Sequence, residues 1–416
     1  MRKETFSKLP LMLAMMVIAT GQVGVSIYLP ALPEMNQQFA DSPLDIQWLV
    51  TIYMVGLGAA QLVYGPVADS LGRRPIFIFG QGLYLVGTVI CVFLQHDLSW
   101  IVFGRLLQGV GAGSTAVIAN SILRDCYSGN RLAKALSYVS IMASVMPMVS
   151  PVLGGWLTWQ FGWDSVFMFV FVYVAFIYIT GLLILPETLP YPPKMPQLYA
   201  AFKSYAELIK TPQVLATTTY GWVNFLMIMM SLSVMPYLVQ EQLSISAAHY
   251  GVIMIVPSFG LMIGSVLQNM LNRRLEPKSL LGTGLVMALG AALWMYFAAV
   301  SVFHLVGALT GLAIAQGLMF PVISRMLLEP QKDKAGTVTA LSGSLQMLIT
   351  GVFGGVVASM ITSKELLGAF LLVGTLSLLV LYVLQLRCKH LYPSNLKMQD
   401  SEPHSLFQFK EKDAVE

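Results

Sequence analysis

Asp69-Ser70-Leu71-Gly72-Arg73-Arg74-Pro75 places one carboxylate and two guanidinium groups on a short, glycine-bearing turn between two long apolar runs. The chemistry on offer is ion pairing. Asp69 can accept from neighbouring arginines, or from a helix N-terminus, whose positive dipole end favours an anion. Arg124-Asp125 ends another apolar run and is placed to join the same network. Arg105 is of another kind, because it lies inside an apolar run, about six residues or roughly 9 Å from that run's nearer end. A charge at such depth is costly unless paired or wet, and the alternative is a side chain that snorkels to the interface. No Asp or Glu occupies the middle third of any apolar run. A titrating group must therefore come from an end. Glu34, at the far end of the first run and in the same half as Arg105, is the best placed, ahead of Asp41 and Asp45. A nearby arginine would lower its pKa and an apolar setting would raise it, so alternation between the two would load and release a proton.

These groups need elements to position them, and the composition says which. Of the 416 residues, 56% are hydrophobic and 11% charged, roughly half the charged fraction of an average soluble domain. Lipid is the solvent for most of such a surface. About 20 apolar residues cross the hydrocarbon core. The chain supplies twelve such runs, at about 9–31, 46–68, 76–94, 99–123, 134–160, 164–185, 214–240, 248–271, 279–299, 302–328, 335–362 and 365–386. The first is too long for a cleaved signal peptide. Basic residues fall on alternate connections: Arg2, Lys3 and Lys8; Arg73 and Arg74; Arg124, Arg131 and Lys134; Lys194, Lys203 and Lys210; Arg273, Arg274 and Lys278; Arg325, Lys332 and Lys334; and the tail from Arg387. The opposite side holds only Lys364. This positive-inside pattern puts both termini in the cytoplasm, and its regular alternation independently supports twelve crossings.

The predicted fold is an all-α integral membrane protein of two pseudo-symmetric six-helix bundles. Residues 1–186 form the first, 187–212 a proline-rich cytoplasmic loop in which Leu198 to Ile209 can make a short surface helix, 213–387 the second, and 388–416 a polar tail. Gly65, Asp69 and Arg74 recur at the same spacing as Gly264, Gln268 and Arg273, as expected of parallel halves. Pro147, Pro151, Gly154 and Gly155 can bend the fifth span into a hinge, since proline removes a backbone hydrogen bond. A cavity near the midplane between the halves would be lined by polar or aromatic in-span residues. The candidates are Gln22, Tyr28, Tyr53, Gln61, Gln108, Asn120, Tyr220, Asn224, Gln316 and Gln346. The 25 methionines add an adaptable apolar surface. With no mid-span acid, neutral or zwitterionic lipophiles fit such a cavity better than cations. Cys91, Cys126 and Cys388 are odd in number and lack metal-ligand spacing. Neither a His-Glu-x-x-His zinc motif nor a phosphate-binding loop is present, and a net charge of +4 is no nucleic-acid signature. No cofactor or metal is expected, and an integral-membrane enzyme or ATP-driven pump is disfavoured.

Four segments resemble the major facilitator superfamily and, within it, the twelve-helix drug:proton antiporters of the Bcr/CflA multidrug efflux type. They are Tyr28-Leu29-Pro30-Ala31-Leu32-Pro33, the stretch from Gly65 through Asp69 to Pro75, Arg105-Leu106-Leu107-Gln108-Gly109, and Pro151-Val152-Leu153-Gly154-Gly155. Ser150 stands where that group usually has glycine, and Asp164 where related proteins often have arginine. The resemblance implies a secondary active exporter that exchanges small amphipathic compounds for protons by alternating access. Its partners would be that small-molecule substrate, protons and the lipid bilayer of a bacterial inner membrane, and it would work as a monomer. It also implies that Gly65, Asp69, Gly72, Arg73 and Arg74 latch the two halves on the cytoplasmic side, Gly65 by letting helices pack closely, and that Arg105 faces the cavity. A dedicated exporter of a siderophore or other metabolite, or a proton-linked importer, would use the same scaffold.

Overall fold

The computed structural model describes residues 9–42, 44–189, 194–272 and 274–387. Arg2, Lys3, Lys8, Cys388, the remaining tail and the repeat's Arg273 lie outside them. Among the described residues every regular element is helical. α1 (Leu9–Ser26) ends ahead of Pro30, which has no N–H to give the Ser26 carbonyl. A 3₁₀ turn at Leu29–Ala31 then leads into α2 (Leu32–Gln38). The first crossing thus continues to Gln38, and Glu34 lies within its final turns instead of just past its end. α3 (Trp48–Leu71), α4 (Arg73–Phe93), α5 (Leu98–Cys126), α6 (Gly129–Phe161) and α7 (Asp164–Ile184) supply five more crossings.

After the connecting helix α8 (Leu198–Ile209) come α9 (Pro212–Gln240), α10 (Ala247–Ile253), α11 (Ile255–Leu271), α12 (Pro277–Phe297), α13 (Val302–Leu328), α14 (Ala335–Met360) and α15 (Lys364–Arg387). α10 and α11 form one crossing, interrupted where Pro257 cannot donate to the Ile253 carbonyl. Among the described residues the helices long and apolar enough to cross a membrane number 12, so Leu9 and Arg387 share one end, called the basic end below. α4 begins at Arg73, a few residues earlier than the hydropathy suggested, because its first N–H groups find partners outside the helix.

One large core draws its fully buried residues from the chain after α8, with Tyr220, Leu285, Leu309 and Leu371 among them. Three others draw theirs from α1 to α7. Two separately cored bundles result. They meet where small residues let backbones approach. Gly58 of α3 sits against Ser344 O and Leu348 of α14, and Gly351 and Gly355 of α14 against Thr51 of α3. Gly155 of α6 faces Ala247 O, and Gly251 of α10 faces Pro151 O. Gln240 Nε2 donates to Pro30 O at 2.9 Å, tying α9 to the first crossing. These contacts run from mid-span toward the end away from Leu9 and Arg387.

α6 is unbroken through Pro147 and Pro151. Ser150, in place of the group's usual glycine, donates its hydroxyl to Met146 O at 2.7 Å and is buried at no polar cost. Gly65 corrects an expectation: a Cβ built there would meet nothing within 4 Å. The tight α3–α5 approaches lie earlier in α3, where Gly109 meets Tyr53 O and Gly113 meets Leu57 O. Gly109→Ala should therefore cost about 1–3 kcal/mol through overpacking and lower the melting temperature of the purified protein, while Gly65→Ala, which meets no neighbour and removes a mid-helix glycine, should leave it unchanged or raise it slightly. Equal losses in thermal unfolding would contradict this packing.

Candidate functional site

Charge at the basic end is organised around Arg73. Its guanidinium is 7% exposed and reaches Asp69 of α3 (Nη1–Oδ1, 3.0 Å) and Asp125 at the end of α5 (Nε–Oδ2, 3.0 Å); it also donates to Ala68 O. Thr188 Oγ1 donates to the same Asp125 oxygen at 3.0 Å. Glu187, just past α7, caps α4. Its carboxylate accepts the Arg73 N–H at 2.9 Å and the Arg74 N–H at 3.3 Å, two of the groups that a helix N-terminus leaves without internal partners. The positive end of the α4 dipole favours that anion further. Gly72 fits for two reasons. Its φ of 113° lies in the left-handed region, and a Cβ there would run into the Glu187 carboxylate. Burial pushes the Glu187 carboxyl up, but four backbone N–H donors, from Arg73, Leu189, Arg74 and Thr188, outweigh it and hold the pKa below the usual 4.5.

The structure brings Asp69, Gly72, Arg73 and Asp125 into one cluster, joined by Glu187 and Thr188, which the sequence reading did not include. A lone acid among prolines at the basic end of the sixth crossing was the available signal. Arg74 joins through its backbone and by donating Nη2 to Leu182 O at 3.2 Å. Arg124 is exposed and takes no part in these bonds. The bonds seen knit α3, α4, α5 and the end of α7, all in the first bundle.

A second cluster lies deep in that bundle. Arg105 of α5 is 2% exposed. It donates Nε to Leu49 O (3.2 Å), Nη1 to Gln108 Oε1 (2.8 Å) and Nη2 to Gly24 O (2.9 Å). Its Cζ stands 4.0 Å from the Tyr28 ring centroid and 4.2 Å from that of Tyr53, within cation–π range. Gly24 O belongs to the last turn of α1, where the carbonyls lack helical partners and the dipole end is negative. Gln108 Nε2 passes the network to Thr88 Oγ1 at 2.9 Å, and Tyr53 Oη donates to Gly21 O at 3.1 Å. Four helices, α1, α3, α4 and α5, are joined through one cation.

Several sequence expectations change here. Arg105 and Glu34 do not pair. Glu34 is exposed on α2, beside Gly162 and Asp164, and accepts from the Trp163 backbone, with the 3₁₀ turn between it and Tyr28. Tyr28, Tyr53 and Gln108 have at most 1% exposure; they surround Arg105 instead of lining open space. Tyr220 is likewise buried and donates Oη to Gln385 Oε1 at 2.9 Å inside the second bundle. Asn224 is buried with its Oδ1 unbonded among the described residues. Gln22, Gln61, Asn120, Gln316 and Gln346 are half-buried, and Asn120 donates to Ala116 O at 2.9 Å. Of the fifth-span residues, Gly154 lies against Ile27 O and Gly155 and Pro151 sit in the seam between bundles. No group of three or more metal-ligating side chains occurs among the described residues.

The family model described as Major Facilitator Superfamily matches residues 12–230 and 217–412. Multidrug resistance protein D of Escherichia coli (strain K12) is 26% identical over 405 residues, covering 94% of this chain and 99% of that protein. Multidrug resistance protein MdtL of Klebsiella pneumoniae is 27% identical, covering 78% and 82%. The crystal structure of the human organic anion transporter MFSD10 (TETRAN) superposes with a TM-score of 0.65 at 15% identity, covering 92% of this chain and 100% of that one, a likeness of fold.

Glu187→Gln should lower the melting temperature by a few degrees. Because the folded pKa is depressed, the stabilisation is complete above the ordinary value of 4.5 and is lost as pH falls through the lower folded value. The gap between parent and variant should thus hold from about pH 6 to 8 and shrink only in acid; a gap that moves near neutrality would contradict it. Arg105→Lys, which loses the planar fork and both ring contacts, forfeits charged hydrogen bonds worth about 1.5–3 kcal/mol each. It should depress melting more than the exposed Glu187 change does, and the reverse order would refute the central role given to Arg105.

Proposed function

This chain belongs to the major facilitator superfamily of membrane transporters, and we propose that it exports small amphipathic compounds in exchange for protons by alternating access. The observation carrying the mechanism is the pair of separately cored bundles meeting along glycine-lined seams that run from mid-span toward one end. Such seams are packed by van der Waals contact and few hydrogen bonds, so they can part as units without unfolding either core. The basic end faces the cytoplasm, in line with the distribution of lysine and arginine, and the end that carries the seams faces outward. The near full-length likeness to Multidrug resistance protein D supports the export direction.

In this reading the half-buried Gln22, Gln61, Asn120, Gln316 and Gln346 border the substrate path, and α6, with Pro147, Pro151, Gly154 and Gly155, flexes as the bundles rock. The network of Asp69, Arg73, Asp125 and Glu187 sets how the basic ends of the first bundle's helices sit in each state. Arg105 carries a charge that is never lost, so it fixes helix positions and cannot itself load a proton. Glu34, exposed on the outward side next to Asp164, is the carboxylate placed to do so. The path lacks a mid-span acid, so neutral or zwitterionic amphiphiles are the favoured cargo. The transporter acts as a monomer in a bacterial inner membrane.

Cells overexpressing the protein should accumulate less of at least one member of a chemically diverse amphiphile panel, and an uncoupler should abolish the difference. Export that survives the uncoupler would exclude proton coupling. In proteoliposomes, Glu34→Gln should reduce substrate-driven proton release by about tenfold while binding persists; unchanged release would move the proton to another acid.

A further inference from the structure

α8 has two faces of different chemistry. Ala201, Tyr205 and Leu208 fall on one side of the helix at 100° per residue. Tyr205 and Leu208 are 6% and 3% exposed. This side packs on Leu62 of α3 in the first bundle and on Leu327 of α13 and Val338 and Leu341 of α14 in the second. Tyr205 Oη donates to Leu62 O at 3.3 Å. α8 therefore lies across the seam between the bundles at their basic end.

The other side is covered by none of the described residues. Tyr199 is 84% exposed, Phe202 45% and Ile209 36%. Phe202 and Ile209 form an apolar shoulder next to the buried side, one and a half to two turns apart. Lys203 and Lys210, one heptad apart and both exposed, run beside Tyr199 along the adjoining strip. An apolar shoulder graded into an aromatic and then a lysine row is the pattern of a helix lying in the plane of a membrane interface. The bilayer is already the solvent of the spans that α8 rests on. The two lysines match the anionic phospholipids of a cytoplasmic leaflet, which attract basic residues close to the surface.

We propose that the outer side of α8 is seated on anionic phospholipid, with Phe202 and Ile209 at the level of the upper acyl chains, Tyr199 at the headgroups and Lys203 and Lys210 on the phosphates. The contact depends on the membrane setting and not on which compound is carried, so it can be read without any substrate.

The test uses the full chain in nanodiscs, with Cys126→Ser and Cys388→Ser and a polarity-sensitive fluorophore on Phe202→Cys; Cys91 is buried and unreactive in the fold. A second probe at Tyr199→Cys guards against a local effect of the first. Lipids brominated on the upper acyl chain should quench the Phe202 probe, more strongly in phosphatidylglycerol discs than in phosphatidylcholine discs. In the Lys203→Gln/Lys210→Gln variant, half-maximal quenching should need several-fold more phosphatidylglycerol. No quenching in either disc would place this side in water or on another protein and overturn the proposal. Equal quenching in the two lipids, or an unaltered preference in the double variant, would overturn the anionic recognition.

Discussion

A single guanidinium that cannot discharge organises the first bundle. Arg105 is buried with no carboxylate bonded to it among the described residues. A buried cation in this position must be held by dipoles and π faces or it would draw water or helices out of place. Of the two carbonyls it binds, Gly24 O stands in the last turn of α1, where lone pairs are in surplus, and Leu49 O lies in the first turn of α3. Pro30 is what makes the first of these available, since it stops α1 short and leaves its last carbonyls without partners. The cost of burying the charge and the cost of breaking the helix thus offset each other. Tyr28, in the turn just past α1, and Tyr53 of α3 close over the guanidinium. Any motion that shifts α1 against α5 has to change these contacts together.

The basic end follows the opposite electrostatic logic. There the charges are many, paired and partly wet. Asp69 is 66% exposed while its partner Arg73 is 7% exposed, so screening weakens the ion pair itself. The durable part is the capping of α4 by Glu187, whose carboxylate takes two N–H donors from the first turn of α4 and two from the chain just after itself. Because Gly72 has no side chain, the carboxylate can approach the backbone directly, and the chain can turn from α3 into α4 without a spacer. The lysine-bearing α8 sits next to this network, with Asp69 close enough to raise the Tyr205 pKa beyond what burial does.

Much of this was legible in the sequence. Twelve crossings could be read because each needs a long apolar run and the basic residues alternate; α8 was visible as a helix-length stretch between prolines. Depth along a span was also legible, which is why Arg105 stood out. Direction around the helix axis was not. Hydropathy along these spans is too uniform to say which side of α5 faces which neighbour, so Arg105 and Glu34 were matched by depth when their helices turn them apart. Tyr28, Tyr53, Gln108 and Tyr220 were polar enough to suggest a cavity, but polarity in a span serves equally to bind helices together. Glu187 contacts Arg73 across 114 residues, a distance over which local pattern carries no information. Gly65 shows the same limit from the other side: its spacing repeats at Gly264, yet only Gly264 is packed tightly, against Ile314 O.

That difference between Gly65 and Gly264 bears on the transport cycle. A glycine with open space beside it costs backbone entropy and returns no packing in this state. Its partner in the repeat does the packing, at the level where α11 meets α13 inside the second bundle. The glycine-lined seams between the bundles, at Gly58, Gly155, Gly251 and Gly351, run from mid-span toward the end away from Leu9 and Arg387. If the bundles rock about the middle of the membrane, closing the basic end must bring α3 toward new neighbours near Gly65 while the outward seams part. The empty space at Gly65 is then room reserved for the second conformation. The charged turn beside it, with Asp69 mostly in water and Arg73 already buried, supplies a carboxylate that can change partners without uncovering a buried cation.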